Sequence, residues 1–371
     1  MKVAGIVVEY NPLHNGHLYH LEKVREITGC DLIVAVMSGN FVQRGEFAIT
    51  NKWKRAEAAV KAGVNLVIEL PFPFVVQSAT QFGENAIRLL HMAGCDCVVF
   101  GSETNNLEEL QEISQLSFNI DNFKENMKKG YSYPASYGYM ADSYGPNDIL
   151  GISYLRALQK YPEMSAYSIK RTSDYNDDDM SVTYPSAKAI RKAVLEGKNI
   201  ADSTPMADTL TSDFPTWEKM YPYVKTILLT HSPDELKEYF LMDEGIENHL
   251  IKQANTYENY AEFINAAVTK RYTRSRIQRT LCHLLVNNKK ADMKMLPELD
   301  RIRPLWFDEA GQQYIKKLQE DGMIVVNHFT QNIKQYRDLE YRAAVVYGMT
   351  MNEKDRKLIT RGEVCGKYLD E

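Results

Sequence analysis

VAGIVVEYNPLHNGHLYHL, residues 3–21, joins two periodicities through a turn. Val3–Glu9 is a short, β-branched, almost continuously apolar run, the pattern of a strand covered on both faces. His17–Thr28 switches to helical spacing. Asn11-Pro12 sets the turn between them, and His14-Asn15-Gly16-His17 falls where strand gives way to helix. The run stops at Glu9 instead of continuing to a small-residue cleavage site, which argues against a signal peptide.

That placement gives the HNGH tetrad chemical meaning. In an open α/β sheet, ligands bind beyond the carboxyl ends of the strands. A helix start there offers unsatisfied backbone N–H groups and a positive dipole end, which suit phosphate. Gly16 lets a nucleotide approach the backbone, and two imidazoles three residues apart can both donate to phosphate oxygens. The plain alternatives are two solvent-exposed turn histidines or a metal pair. Position straight after a buried first strand favours the nucleotide site.

Working outward, Leu32–Met37, Asn65–Leu70 and Cys97–Gly101 repeat the buried-strand pattern, with helical stretches at Lys52–Ala62 and Phe82–Met92. This series predicts an α/β fold with an open doubly wound parallel sheet and right-handed crossovers. Surface helices are expected at Asn105–Leu116 and Asp121–Lys129, and a Tyr/Ser/Gly-rich loop over Gly130–Gly145. A helix at Ile149–Tyr161, a strand at Ala166–Lys170, a polar loop at Thr172–Met180 and a helix at Ser186–Glu196 should follow. Gly197–Pro205 is poor in large apolar residues and reads as a boundary, dividing the chain into 1–198 and a mainly α-helical 199–371. Helices are expected at Thr216–Thr230, Pro233–Leu241, Ile246–Gln253, Tyr260–Val268 and Arg274–Val286. Ile324–Val326 and Ala343–Val346 would form a small β pair.

The 371 residues, 44% hydrophobic and 25% charged, exclude disorder as the dominant state. A formal net charge of −5 argues against a uniformly basic nucleic-acid coat but not against a local patch. Five scattered cysteines read as reduced thiols of a cytoplasmic protein. No apolar stretch approaches the roughly 20 residues that span a bilayer.

Three charged groups stand out. Arg44 in GNFVQRGE and Lys52, Lys54 and Arg55 in NKWKR would meet phosphates, an acyl group or RNA, or form a solvated helix face. Asp174, Asp177, Asp178 and Asp179 read as a solvated acidic loop more readily than as a metal site. Lys270, Arg271, Arg274, Arg276 and Arg279 place five cations in ten residues around Tyr272. Such density suits a phosphate backbone, with Tyr272 free to stack on a base, or else a salt-bridged surface helix. Arg301-Ile302-Arg303-Pro304 would extend the patch.

HNGH resembles the signature of the HxGH nucleotidyltransferase superfamily, which has a Rossmann-like catalytic domain. The ordered words VVEYNPLHNGHLYHL, AVMSGNFVQRGEFA, GVNLVIELPF, FGSE, PNDILGISYL, KRTSDYNDDD and KRYTRSRIQRTL resemble one bacterial family, the tRNA(Met) cytidine acetate ligases. The resemblance implies a ligase that activates acetate with ATP, in company with Mg2+, to acetyl-adenylate and pyrophosphate. The acetyl group then passes to the wobble cytidine of elongator tRNA(Met), giving N-acetylcytidine. Acetate and the tRNA come from the resemblance alone.

Carried over by position, the resemblance puts catalysis on His14 and His17. It puts ATP binding on Val7, Val8, Glu9, Tyr10, Asn11, Pro12, Leu13, His14, Asn15, Gly16, His17, Leu18, Tyr19, His20, Gly101, Asn147, Arg171 and Thr172. Asp148 stands where the family pattern has a second Asn. Ser186-Ala187-Lys188-Ala189-Ile190-Arg191 resembles the superfamily's second phosphate motif, with Ser186 and Arg191 as contacts and Ala187 and Lys188 as departures. Two other functions fit the residues: a small-molecule adenylyltransferase, or an RNA-binding protein on a degenerate catalytic fold.

Overall fold

The computed structural model describes residues 1–115, 144–171 and 179–365. The helix expected at 121–129, most of the loop after it, Thr172 and the acids at 174, 177 and 178 lie outside the described residues.

Seven strands occupy the N-terminal half: Val3–Val8 (β1), Leu32–Ser38 (β2), Phe41–Val42 (β3), Glu46–Phe47 (β4), Leu66–Leu70 (β5), Cys97–Ser102 (β6) and Ser165–Lys170 (β7). They alternate with Asn15–Thr28 (α1), Lys52–Lys61 (α2), Phe72–Val75 (α3), Ala79–Met92 (α4), Leu107–Gln115 (α5), Pro146–Leu158 (α6) and Ala187–Leu195 (α7). Helices dominate the next part: Trp217–Thr230 (α8), Pro233–Leu236 (α9), Ile246–Thr256 (α10), Tyr260–Ala267 (α11), Arg274–Leu285 (α12) and Lys290–Lys294 (α13). The last part holds Arg301–Ile302 (β8), Pro304–Phe307 (β9), Glu309–Glu320 (α14), Ile324–Val325 (β10), Lys334–Gly348 (α15) and Glu353–Cys365 (α16).

The main sheet runs β7-β6-β1-β2-β5-β9. From β1 the chain moves outward through β2 to β5, then returns to the other side of β1 for β6 and β7. The reversal opens a crevice at the carboxyl ends of β1 and β6, the position where open α/β sheets bind ligands. Pairings from β7 to β5 are parallel, with Val3 opposite Leu32 through to Val8 opposite Met37. The expected doubly wound sheet followed by helices is therefore present, with one addition. Strand β9 returns from the C-terminal part to pair antiparallel with β5. Pro304 is its first residue, where a missing N–H costs the sheet little.

Both faces of the sheet are buried, which explains the lack of polar alternation in its strands. One face packs Ala4, Ile6, Ile33, Ala35 and Val99 against Leu21 and Val24 of α1 and Trp53, Ala56 and Ala59 of α2. The opposite face packs Val34, Val36, Ile68, Val98 and Phe100 against α4 and α6, and this core continues into the helices of the second half. Each large side chain so buried contributes about 1.5–3 kcal/mol. All five cysteines are free thiols, and only Cys365 is exposed.

One strand expectation is corrected. Ala343–Val346 lies inside α15, because Tyr336, Leu339, Glu340, Ala343, Ala344 and Tyr347 recur at helical spacing on its buried side. The partner of Ile324–Val325 is instead β8, paired parallel. Among the described residues, no helix is long and apolar enough to cross a membrane.

Candidate active site

Strand β1 delivers the chain to the crevice. Tyr10, at φ 46°, turns it out of the sheet, and Asn11 fixes the turn by accepting a hydrogen bond at Oδ1 from the Ile49 N–H (2.7 Å). The buried Arg55 guanidinium clamps the base of this turn, donating to the carbonyls of Glu9, Ser38 and Gly39. Helix α1 then starts in an unusual way. His14 is its N-cap, and its Nδ1 accepts from the Gly16 N–H at 3.1 Å. His17 Nδ1 accepts in return from the His14 N–H at 3.2 Å. This is a capping box built from two imidazoles in place of Ser/Thr and Glu.

The reciprocal cap sets the tautomers. Each Nδ1 is an acceptor, so a neutral ring carries its proton on Nε2. The rings lie 3.8 Å apart between centroids, with Tyr10 edge-on to His17 at 4.9 Å. Burial, aided by the nearby charges of Arg171 and Arg191, pushes His14 down to about 3. Burial holds His17 well below the usual imidazole range and His20 near 4. At neutral pH the site therefore presents two uncharged Nε2–H donors whose direction the backbone fixes.

Two guanidiniums supply the positive charge. Arg171 follows β7, with its backbone N–H bonded to the Ser102 carbonyl and its buried Nε lacking a hydrogen-bond partner. It lies against Gly101, where an added Cβ would stand 3.4 Å from Arg171 Cγ. Arg191, on α7, donates from Nη1 to the Asn11 carbonyl (2.7 Å), with Nη2 3.5 Å from Glu46 Oε2. Ser186 caps α7 by accepting from the Ala189 N–H at 3.1 Å. His14, His17, Arg171 and Arg191 thus converge at the carboxyl ends of β1, β6 and β7, where a polyphosphate would find side-chain donors, charge and the positive end of the α1 dipole.

The remaining predicted residues lie at the strand ends and in the turns around the crevice. Val7 and Val8 finish β1, while Leu13 and the Tyr10 ring pack in the core beneath the turn. Pro12 completes that turn, and Asn15, Gly16, Leu18 and Tyr19 are half-buried in the first turns of α1, with Leu18 and Tyr19 packed against the core. Glu9 accepts the Gln43 N–H at 2.7 Å, and burial raises its carboxyl above the usual range. Asn147 is held by Glu103, whose carboxylate accepts its Nδ2–H (2.6 Å) and the N–H groups of Asn147 and Asp148. Asp148 is fully buried and accepts from the Ser102 hydroxyl and from the Glu103 and Thr104 N–H groups, both at 3.1 Å. An acid serves that position as an acceptor of three bonds shaping the turn after β6.

Sequence reading missed a strap over the tetrad. Ser203 O accepts the Asn15 N–H (3.1 Å), Asp202 O accepts Asn15 Nδ2–H (2.7 Å), and the buried Thr204 hydroxyl donates to Leu13 O. These residues belong to the polar stretch that reads as a linker.

Several charged residues have other roles than those first suggested. Lys52 and Arg55 are neither a solvated face nor ligand contacts, since both are buried. Lys52 pairs with Glu69 and Glu363, and Arg303 pairs with the same two acids. Glu69, Glu340 and Glu363 form the one trio of carboxylates with metal-like spacing among the described residues. Lys52 and Arg303 already neutralise it, so its donor set does not fit a divalent ion. Asp179 is exposed and accepts from the Ser181 N–H at 2.8 Å.

In the basic segment, Lys270, Arg271 and Tyr272 precede α12, and Thr273 caps it. Glu244 engages both Arg271 (3.6 Å) and Arg276 (2.9 Å), while Arg274 donates to Asn265 Oδ1. Tyr272 is only 7% exposed, with its hydroxyl on the Glu244 carbonyl and both neighbouring guanidiniums within 6 Å of its ring. It has no open face on which a base could stack.

Comparison with known proteins matches this chain to the HIGH Nucleotidyl Transferase family over residues 1–361. It is 35% identical to the tRNA(Met) cytidine acetate ligase of Geobacillus sp. (strain WCH70), with 98% of each chain covered. It is 36% identical to that of Bacillus subtilis (strain 168), covering 95% of this chain and 93% of the relative. Among solved structures, apo Thermotoga maritima TmcAL superposes with a TM-score of 0.86 at 30% identity, covering 96% of both chains. The same protein bound with alpha-thio ATP gives 0.84 at 29% identity, again covering 96% of both. With its histidine-capped first helix at the sheet's switch point and this likeness along nearly its whole length, the chain belongs to the tRNA(Met) cytidine acetate ligase family of HIGH nucleotidyl transferases.

Proposed function

We propose that the chain activates acetate with ATP and acetylates the wobble cytidine of elongator tRNA(Met), working in the cytoplasm. The observation that carries this reading is the reciprocal His14–His17 cap at the start of α1, flanked by Arg171 and Arg191. Residues 7–20, Gly101, Asn147 and Arg171 take ATP, with Ser186 and Arg191 toward the departing phosphates. Residues 1–198 act on the nucleotide, and the helical remainder, whose β9 completes the sheet, receives the tRNA.

In the first step an acetate oxygen attacks the α-phosphorus of ATP. A P–O bond to acetate forms and the bond to pyrophosphate breaks, with the electron pair leaving on pyrophosphate. Acetate is ionised at neutral pH, so no base is needed. The two Nε2–H donors and two guanidiniums stabilise the charge that shifts onto the phosphates, and their fixed directions avoid reorganisation during the step. In the second step the exocyclic amine of cytidine attacks the acetyl carbonyl. The C–N bond forms, the bond to AMP breaks, and the amine proton passes to solvent. Lys52 and Arg303 already neutralise the Glu69–Glu340–Glu363 trio, so an ion accompanying ATP would be carried by the nucleotide's own phosphates.

The test is mass spectrometry of tRNA nucleosides from cells lacking the protein. Loss of N-acetylcytidine from elongator tRNA(Met) is expected. Unchanged acetylation would refute the reading.

A further inference from the structure

Arg279 carries a charge that the fold leaves without a counter-ion. It sits on α12 with 7% of its surface exposed, and its buried Nε has no hydrogen-bond partner. Among the described residues it makes no ion pair. Burial first, and then the positive charges of Arg276 and Arg44 against a smaller opposing pull from Cys282, bring it down to about 10, still protonated at neutral pH. The acids nearby are committed elsewhere: Glu244 to Arg271 and Arg276, Glu46 to Arg191. A buried, unpaired guanidinium is costly to keep, and an anion bound on it would remove the cost.

The surroundings are built to hold that position. The hairpin of β3 and β4 lies across α12 with Gly45 at its tip, at φ 77°, and a Cβ there would strike the Arg279 backbone. The Gly45 carbonyl accepts from Trp217 Nε1 (3.0 Å) and Cys282 Sγ (3.4 Å), which fixes the tip. Arg44 precedes Gly45, so the locked tip sets its charge beside Arg279. On its other side the hairpin touches β1 through Gln43 and Glu9, and the Arg44 charge acts on Glu9 as well. One rigid tip therefore spans from the end of β1 to α12.

We propose that Arg279, with Arg44 beside it, forms a pocket for a backbone phosphodiester of the tRNA, docking the anticodon against the adenylate. A guanidinium suits this because its planar fork meets two phosphate oxygens at once. The ATP phosphates are a poorer match, because Arg171 and Arg191 are the guanidiniums whose charge reaches His14. The proposal rests on the tRNA substrate given under Proposed function.

The full-length protein with Arg279→Met, and separately Arg279→Lys, tests it. Three quantities are measured: affinity for a tRNA(Met) transcript across a salt series, acetate-dependent ATP–pyrophosphate exchange without tRNA, and the thermal midpoint. Arg279→Met should weaken tRNA binding about tenfold and reduce the slope of log affinity against log salt by about one. Arg279→Lys should keep most of that slope. Pyrophosphate exchange should keep its rate, and the thermal midpoint of Arg279→Met should hold or rise, since an unpaired buried charge is gone. A fall in thermal midpoint and exchange together would make Arg279 structural and overturn the proposal. A raised KM for ATP or acetate with unchanged tRNA binding would assign the pocket to a different anion, and no change in any of the three would remove it. If the tRNA reading itself fails, the unaltered protein does not bind tRNA(Met). If only the pocket fails, the unaltered protein and Arg279→Met bind it equally.

Discussion

Lys52→Met removes one cation from a fully buried ion network. Lys52 opens α2 and is 1% exposed. Its Nζ lies 2.7 Å from Glu363 Oε2 and 3.7 Å from Glu340 Oε2, and it pairs with Glu69. Arg303 Nη1 meets Glu69 at 2.8 Å and also pairs with Glu363. Burial and the Glu69 carboxylate push Glu340 up to about 8, so it holds a proton at neutral pH, which leaves two cations facing two carboxylates. Methionine matches the length of the stem but leaves Arg303 alone with both acids. Breaking a buried pair costs about 3–5 kcal/mol. The excess carboxylate escapes part of that by taking up a proton, and its raised folded pKa makes the variant relatively more stable as pH falls. The deficit should thus be about 3–5 kcal/mol at pH 8 and shrink by about 1.4 kcal/mol per pH unit while that carboxylate titrates. Urea unfolding of both proteins at pH 8 and pH 6 measures it. A deficit below about 1 kcal/mol at pH 8, or one that does not shrink by pH 6, refutes the reasoning. Added Mg2+ should leave the unfolding midpoint of the unaltered protein unchanged, whereas a metal-dependent rise would make the carboxylate trio a metal site.

Other outcomes follow from the site. His14, His20 and His283 titrate near 3, 4 and 4 in the folded chain and His17 lower than normal, against about 6.5 unfolded. The folded state binds fewer protons than the unfolded one below that pH, so stability should fall from pH 6.5 downward by up to about 1.4 kcal/mol per pH unit for each histidine; a midpoint flat from pH 7 to 5 would contradict this. His14→Ala and His17→Ala should each lower acetate-dependent ATP–pyrophosphate exchange by about 10²–10³-fold, and exchange in the unaltered enzyme should lack an imidazole limb between pH 6.5 and 8. Thr204→Val should lose about 1–2 kcal/mol of stability together with exchange activity, and Thr204→Ser should restore both, because only the hydroxyl reaches Leu13 O and the Met206 N–H.

Local signals made much of this readable in the residues. The strands of the sheet's centre are apolar runs covered on both faces, and the HNGH tetrad announces itself by standing between strand and helix. What stayed hidden depends on partners distant in the chain. Lys52 reads as an exposed helix residue because nothing near it reveals Glu363, and Arg303 reads as part of a basic patch for the same reason. Thr204 lies in a stretch whose composition is that of a linker, and only the fold turns it onto Leu13. Strand β9 is four residues long and starts with proline, too short for a period to register. Tyr272 belongs to a basic segment in the sequence and to the core in three dimensions, since Arg271 and Arg276 turn back to Glu244. Asp148 reads as a departure from the motif the sequence resembles, and the fold gives it three donors that converge on its carboxylate.

The route of the acetyl group separates acetate activation by ATP from every other chemistry this site could perform. Purified protein, ATP labelled at the α-phosphate, labelled acetate and elongator tRNA(Met) should together yield pyrophosphate, labelled AMP and tRNA acetylated at the wobble cytidine, with no label from the α-phosphate in the tRNA. Acetylation that runs fully on acetyl-CoA without ATP, or a product that keeps the AMP, would contradict it.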